Sequence, residues 1–342
     1  MRDKKISMRG NLVRDMMKNV METSLKEPIQ TGEFRKHPKE PAWICPGGYL
    51  YEIIETEKCK MEYLRPERVM TGRVILQLHG GGYIGPMKNI YRRFAVLYSK
   101  LSMGGDVLTI DYRVAPEHPF PAALEDAVYA YRWLIEEKKY APEQIVVAGD
   151  SAGGGLALAL SLYLRDHKIP MPAALITMSP WTDLTCSGES HLTNYDLDPL
   201  FGNSRESMLY NSSYIGEHDP KNPYISPAFG DFHEFPPVMI QVGSFEMLLS
   251  DSQMAADKCR EAGIRYRLSV FEGMFHVFQM GMGLIPESRE AWEEIGKFLE
   301  IVYHLDRASD GVIVKRVKNK PEGRKARNTG RKGGSIRRTW FQ

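Results

Sequence analysis

The sequence predicts an α/β protein: a mostly parallel sheet with helices on both faces. Three observations lead there. Short apolar, β-branched runs alternate with amphipathic helical stretches along most of the chain. A strand, a sharp turn and a helix meet at Gly149-Asp150-Ser151-Ala152-Gly153. The 342 residues, 43% of them hydrophobic, suffice for a large core.

The elements follow in order. Met8, Leu12, Met16, Val20 and Met21 lie close to helical spacing across residues 6–26. Pro38, Pro41, Pro46, Gly47 and Gly48 then mark a connector. Residues 49–56 and 58–64 read as a β-hairpin, 73–78 as a short apolar strand. A glycine loop leads to a helix over about 91–103 and a strand over 106–110. Residues 122–138 form a helix with Leu124, Val128, Tyr131 and Leu134/Ile135 on one face. The strand at 145–148 and the small-residue helix at 154–160 flank the glycine-serine turn. Strands at 173–178, 237–242 and 266–271 and helices at 251–262 and 288–303 complete the alternation. Residues 182–235 break it. They are rich in turn formers and in aromatics (Tyr195, Phe201, Tyr210, Tyr214, Tyr224, Phe229), and a structureless loop of that length is unusual in a compact domain. We read them as an inserted lid, packed with the N-terminal helical segment.

Charge and cysteines narrow the class. Cys45, Cys59, Cys186 and Cys259 lie far apart with no C-x-x-C pair, which argues against a zinc cluster or disulfide scaffold. Residues 1–26 are charged throughout, without the apolar stretch of a secretory signal, and no apolar run reaches membrane-spanning length. A soluble, cytoplasmic protein without a membrane partner is expected, and a homodimer is left open. Residues 311–342 carry eleven Lys/Arg against Glu322 alone, so the tail holds +10 and the rest −8 of a net charge of +2. Lys315, Arg316, Lys318, Lys320, Arg324, Lys325, Arg327, Arg331, Lys332, Arg337 and Arg338 could meet phosphates. Pro, Gly and charge dominate the tail and no folded recognition module accompanies it, so a disordered appendage is the favoured reading and nucleic acid is not.

The chemistry centres on Ser151. G-x-S-x-G between a strand and a helix is a nucleophile elbow. Its outer glycines permit an approach that any Cβ would obstruct. A serine hydroxyl needs a base, a group that orients the base, and donors for the oxyanion. His79-Gly80-Gly81-Gly82 follows a strand and supplies donors: the N–H groups of Gly80 and Gly81, with Ala152 from the elbow. His79 itself reads as a loop anchor. His276, between the last strand and the last helix, is the expected base. His37, His79, His118, His167, His191, His218, His233 and His304 do not follow a late core strand. The acid is Glu246, close behind the strand ending at 242, with Asp251 as the alternative. The chain order Ser, acid, His suits this elbow.

Together these segments resemble the hormone-sensitive lipase-like family (bacterial family IV) of carboxylesterases in the α/β-hydrolase superfamily. The resemblance covers about residues 50–304. It rests on His79-Gly80-Gly81-Gly82, on Gly149-Asp150-Ser151-Ala152-Gly153, and on the stretch from Asp111-Tyr112-Arg113-Val114-Ala115-Pro116-Glu117 to Ala123. Ser179-Pro180-Trp181 and the Glu246 and His276 segments add to it. It implies the α/β-hydrolase fold with an eight-stranded sheet, a helical cap from the N-terminus plus the insertion, and esterase activity without a cofactor. Most members carry Asp where this chain has Glu246, though some carry Glu. The stretch 111–117 reads as scaffolding beneath the site.

The expected organisation is a cap segment at 1–45, core at 46–181 and 236–305, a lid at 182–235 and a basic tail at 306–342. The expected reaction is a two-step acyl transfer on short acyl esters, acetyl to about hexanoyl, without metal. Its rate should rise through roughly pH 6–7 as the imidazole becomes neutral. Acetylated carbohydrates are the alternative substrate. An amidase or peptidase, and a non-catalytic ligand receptor of the same fold, are the competing classes.

Overall fold

A computed structural model describes residues 6–20, 40–202, 209–210 and 212–304. The basic tail and residues 21–26 of the expected first helix lie outside the described residues. Among these, eight strands form one sheet in the order β1-β2-β4-β3-β5-β6-β7-β8. The strands are β1 Tyr49–Glu55, β2 Lys60–Pro66, β3 Val74–Leu78, β4 Asp106–Asp111, β5 Ile145–Asp150, β6 Ala174–Met178, β7 Val238–Gly243 and β8 Tyr266–Phe271. The pairs β1/β2 and β2/β4 are antiparallel, and the rest are parallel.

The central strands β3, β5, β6 and β7 are buried along their whole length and mostly apolar, because helices cover both faces. In β5, Ile145 and Val147 face one cluster, Val146 and Ala148 the other. In β7, Val238 and Ile240 oppose Met239 in the same way. The first face is covered by α3 (Ala122–Glu136), α4 (Ala152–Asp166) and α6 (Leu249–Glu261). The second is covered by α2 (Asn89–Leu101), through Phe94 and Tyr98, and by α7 (Pro286–Val302), through Trp292, Ile295 and Phe298. Each expected strand and long helix occurs, with ends shifted by a few residues.

Helix α1 (Met8–Val20) sets Val13 and Met17 against Met274, Phe278 and Ile285 around the His276 loop. The Ser7 main-chain N–H and hydroxyl both donate to the Glu287 carboxylate on α7, at 2.7 and 2.8 Å. The described part of the insertion carries one short α-helix, α5 (Ser190–Thr193), and one 3-10 turn, Pro227–Phe229, and is otherwise irregular. Buried side chains satisfy its irregular backbone. Asp183 accepts from the N–H groups of Thr185 and Ser187, and the Asp251 carboxylate from those of Thr182 and Asp183, all at 2.8 Å. The four cysteines are free. Among the described residues, no helix is long and apolar enough to cross a membrane.

Candidate active site

Ser151 stands between β5 and α4 with φ 52° and ψ −123°, a backbone state an L-residue adopts at a cost. The surroundings hold it there. Its N–H donates to the Met178 carbonyl at 2.9 Å, and its carbonyl accepts from Trp181 N–H at 2.9 Å and Gly155 N–H at 3.1 Å. The elbow glycines are steric necessities: a Cβ on Gly149 would overlap the Gly153 carbonyl, and one on Gly153 the Leu78 carbonyl of β3.

The chain brings His276 and Glu246 to this hydroxyl. His276 follows β8 in a turn, and Glu246 sits three residues past the end of β7. The carboxylate accepts only, so the Nδ1–H of His276 donates to Glu246 Oε2 at 3.0 Å. That tautomer leaves Nε2 with a lone pair, which the Ser151 hydroxyl meets at 2.8 Å. The other oxygen, Glu246 Oε1, accepts from the Ser179 hydroxyl at 2.7 Å and the Gly243 N–H at 2.5 Å. Ser179 Oγ also accepts the Val277 N–H at 3.1 Å, tying the acid to the histidine's loop. Burial pushes the Glu246 carboxyl above the ordinary range, while the His276 ring, Gly243 N–H and Ser179 hydroxyl pull it back. Asp251 lies elsewhere: its Oδ1 is 3.1 Å from His191 Nε2, within the insertion's own network.

The glycine loop corrects one expected donor. The Gly80 N–H donates to Asp150 Oδ1 at 3.2 Å, so it is turned into the core beside the elbow. The buried carboxylate collects the nearest main-chain donor. Gly81 and Gly82 adopt φ 122° and φ 63°, which reverses the chain and leaves both N–H groups without an acceptor among the described residues. Ala152, the first residue of α4, carries an orphan N–H by its position. The N–H groups of Gly81, Gly82 and Ala152 thus lie beside the elbow without a bond among the described residues, whereas that of Gly80 is taken by Asp150. The sequence does not encode which glycine of the run turns its N–H outward.

Scaffolding around the loop is dense. His79 stacks on Tyr112 at 4.1 Å, and Tyr112 Oη donates to the His79 carbonyl at 2.6 Å. Burial pushes the His79 imidazole below its usual value, in keeping with an anchor. Further along the 111–117 stretch, the Asp111 carboxylate accepts the Met87 N–H at 3.0 Å, and the Ala115 N–H donates to the Tyr83 carbonyl at 2.8 Å. Arg113 pairs with Asp126 at 2.7 Å.

Asp150 carries a consequence for stability. Burial pushes its carboxyl up to about 7, against the pull of the His276 ring, the Tyr91 hydroxyl and the Gly80 N–H. Tyr98 and Tyr112 lie within its field. An unfolded chain releases this proton near about pH 4, whereas the native state keeps it to about 7. The group therefore favours folding at low pH, and that preference is lost as pH rises through this window. Asp150→Asn removes the term. The variant's stability relative to the unsubstituted protein should rise between pH 5 and pH 8, as read from urea unfolding; a flat or falling difference would contradict the assignment.

Comparison with known proteins bears on the fold and the reaction class. A family model described as the alpha/beta hydrolase fold matches residues 75–280. The chain is 39% identical over 248 residues to an acetyl-hydrolase of Streptomyces hygroscopicus, covering 72% of this chain and 82% of that protein. It is 35% identical to an esterase of Acinetobacter venetianus across 66% of this chain and 74% of that one. Among solved structures it is similar to an esterase of the bacterial hormone-sensitive lipase family (TM-score 0.75, 33% identity, 87% of this chain and 99% of that one). It also resembles the esterase EstE5 soaked with p-nitrophenyl butyrate (TM-score 0.76, 32% identity, 87% and 99%). The chain therefore belongs to the α/β-hydrolase fold family, within its hormone-sensitive lipase-like branch, and is a carboxylic ester hydrolase.

Proposed function

We propose that the chain hydrolyses short-chain acyl esters by two-step acyl transfer at Ser151. One observation carries the reading: a hydroxyl, an imidazole and a carboxylate linked at 2.8 and 3.0 Å. Ser151 Oγ attacks the ester carbonyl as His276 Nε2 takes its proton. The N–H groups of Gly81, Gly82 and Ala152 receive the developing oxyanion, and each such donor is worth roughly 100- to 1,000-fold in rate. The imidazolium, steadied by Glu246, then protonates the departing alcohol. Water enters, loses a proton to the same nitrogen and attacks the acyl-enzyme. The tetrahedral intermediate collapses, the acid leaves, and the serine regains its proton.

Enclosure of the site supports a small acyl group. Ser151 and His276 are only 7% and 6% exposed. Phe201 of the insertion sets its ring against His276 at 4.7 Å, and Tyr214 stacks on Tyr83, next to the glycine loop, at 3.8 Å. These contacts support the insertion at 182–235 as a cap over a core at 46–181 and 236–305, with the N-terminal segment beside it. Likeness to an acetyl-hydrolase favours the acetyl end of the range, acetylated carbohydrates included. A series of p-nitrophenyl esters tests this: kcat/KM should peak between acetyl and about hexanoyl. A preference for dodecanoyl or longer chains would overturn the proposal.

A further inference from the structure

Resting on the Ser151–His276–Glu246 reading, we propose that Asn194 and Asp198 of the insertion are positioning residues for the acid. Glu246 occupies a turn between β7 and α6, where neither a ladder nor a helix fixes its main chain. Bonds of the turn itself, from the Glu246 N–H to the Gly243 carbonyl at 3.3 Å and from the Phe245 N–H to the Met274 carbonyl at 3.1 Å, are joined there by contacts from the insertion. Asn194 Nδ2 donates to the Glu246 carbonyl at 2.7 Å and to the Ser244 carbonyl at 2.9 Å. Asp198 Oδ2 accepts the Met247 N–H at 2.8 Å. Ser190 Oγ donates to the Met247 carbonyl at 2.5 Å. Main-chain groups at the acid and on either side of it are thus held from one short stretch about fifty residues away in sequence.

The same stretch reaches the base. Asp198 Oδ1 accepts the N–H groups of Leu200 and Phe201 at 2.8 and 3.0 Å, which fixes the turn that carries the Phe201 ring to His276. Asn194 and Asp198 are themselves buried. Two polar side chains there are costly unless fully engaged, and their partners are the backbone of the acid and the turn beside the base. A carboxylate displaced by about an ångström no longer holds the imidazole in line, and misplacement of that size costs on the order of 100-fold. Docking of the insertion thereby completes the proton relay as well as enclosing it.

A double-mutant cycle tests this. Asn194→Ala should lower kcat about 100-fold in the otherwise unchanged enzyme and by less than about threefold in the E246Q background, because its effect passes through the acid. The downfield Nδ1–H proton resonance of His276 should weaken in N194A and be lost in E246Q. D198N, which withdraws one acceptor oxygen, is read in the same two backgrounds, and it decides the matter should N194A fail to fold. Equal losses in both backgrounds, or an unchanged kcat in N194A and D198N, would overturn the proposal while leaving the relay intact. An unchanged kcat in E246Q alone would overturn the relay, and this inference with it.

Discussion

Ser151→Ala should lower ester turnover by roughly a million-fold, and His276→Ala by a similar factor. The double variant should lose little more, because hydroxyl and imidazole act as one unit. Residual catalysis over water would come from the N–H groups of Gly81, Gly82 and Ala152. The fold should survive, since the alanine variant forfeits one hydrogen bond worth about 1 kcal/mol. Stability can be probed further at the same position. With φ at 52° and ψ at −123°, alanine retains the strain and glycine relieves it. Ser151→Gly should therefore be as inactive as Ser151→Ala yet more stable, by on the order of 1 kcal/mol in urea unfolding. Ester hydrolysis at the unsubstituted rate in either variant would end the proposed mechanism.

Glu246→Gln should lower kcat about 10⁴-fold. The reason is directional. The Ser179 hydroxyl and Gly243 N–H both donate to Oε1, so an amide would seat its oxygen there and turn its NH2 toward His276 Nδ1. The ring would then carry its proton on Nε2, with no lone pair left for Ser151. Glu246→Asp keeps an acceptor but withdraws it by one methylene, so a smaller loss is expected. Initial rates on p-nitrophenyl acetate check both, and equal losses for Gln and Asp would argue against the tautomer account.

The sheet is legible because parallel strands buried on both faces are dominated by apolar, β-branched residues, as in Ile145–Asp150 and Val238–Gly243. The elbow was legible for a steric reason: the Gly153 and Leu78 backbones meet too closely for a side chain. The sequence sets Glu246 apart from Asp251 by its place just beyond a strand, and the structure puts Glu246, not Asp251, 3.0 Å from His276 Nδ1. The direction of the Gly80 N–H is not legible in the sequence, because it depends on local φ and on a carboxylate seventy residues away, neither of which composition encodes. Asn194 and Asp198 gave no signal at all. Their partners are main-chain atoms, which any sequence possesses, and the contacts cross an irregular insertion without periodicity.

Covalent labelling tests the central claim most directly. The intact protein would be treated with a fluorophosphonate and digested, and the adduct mapped by mass spectrometry. One modified residue is expected, Ser151, labelled in step with loss of esterase activity and slowly in the H276A variant. An adduct on another residue that abolishes activity, or full inhibition with Ser151 unmodified, would contradict it.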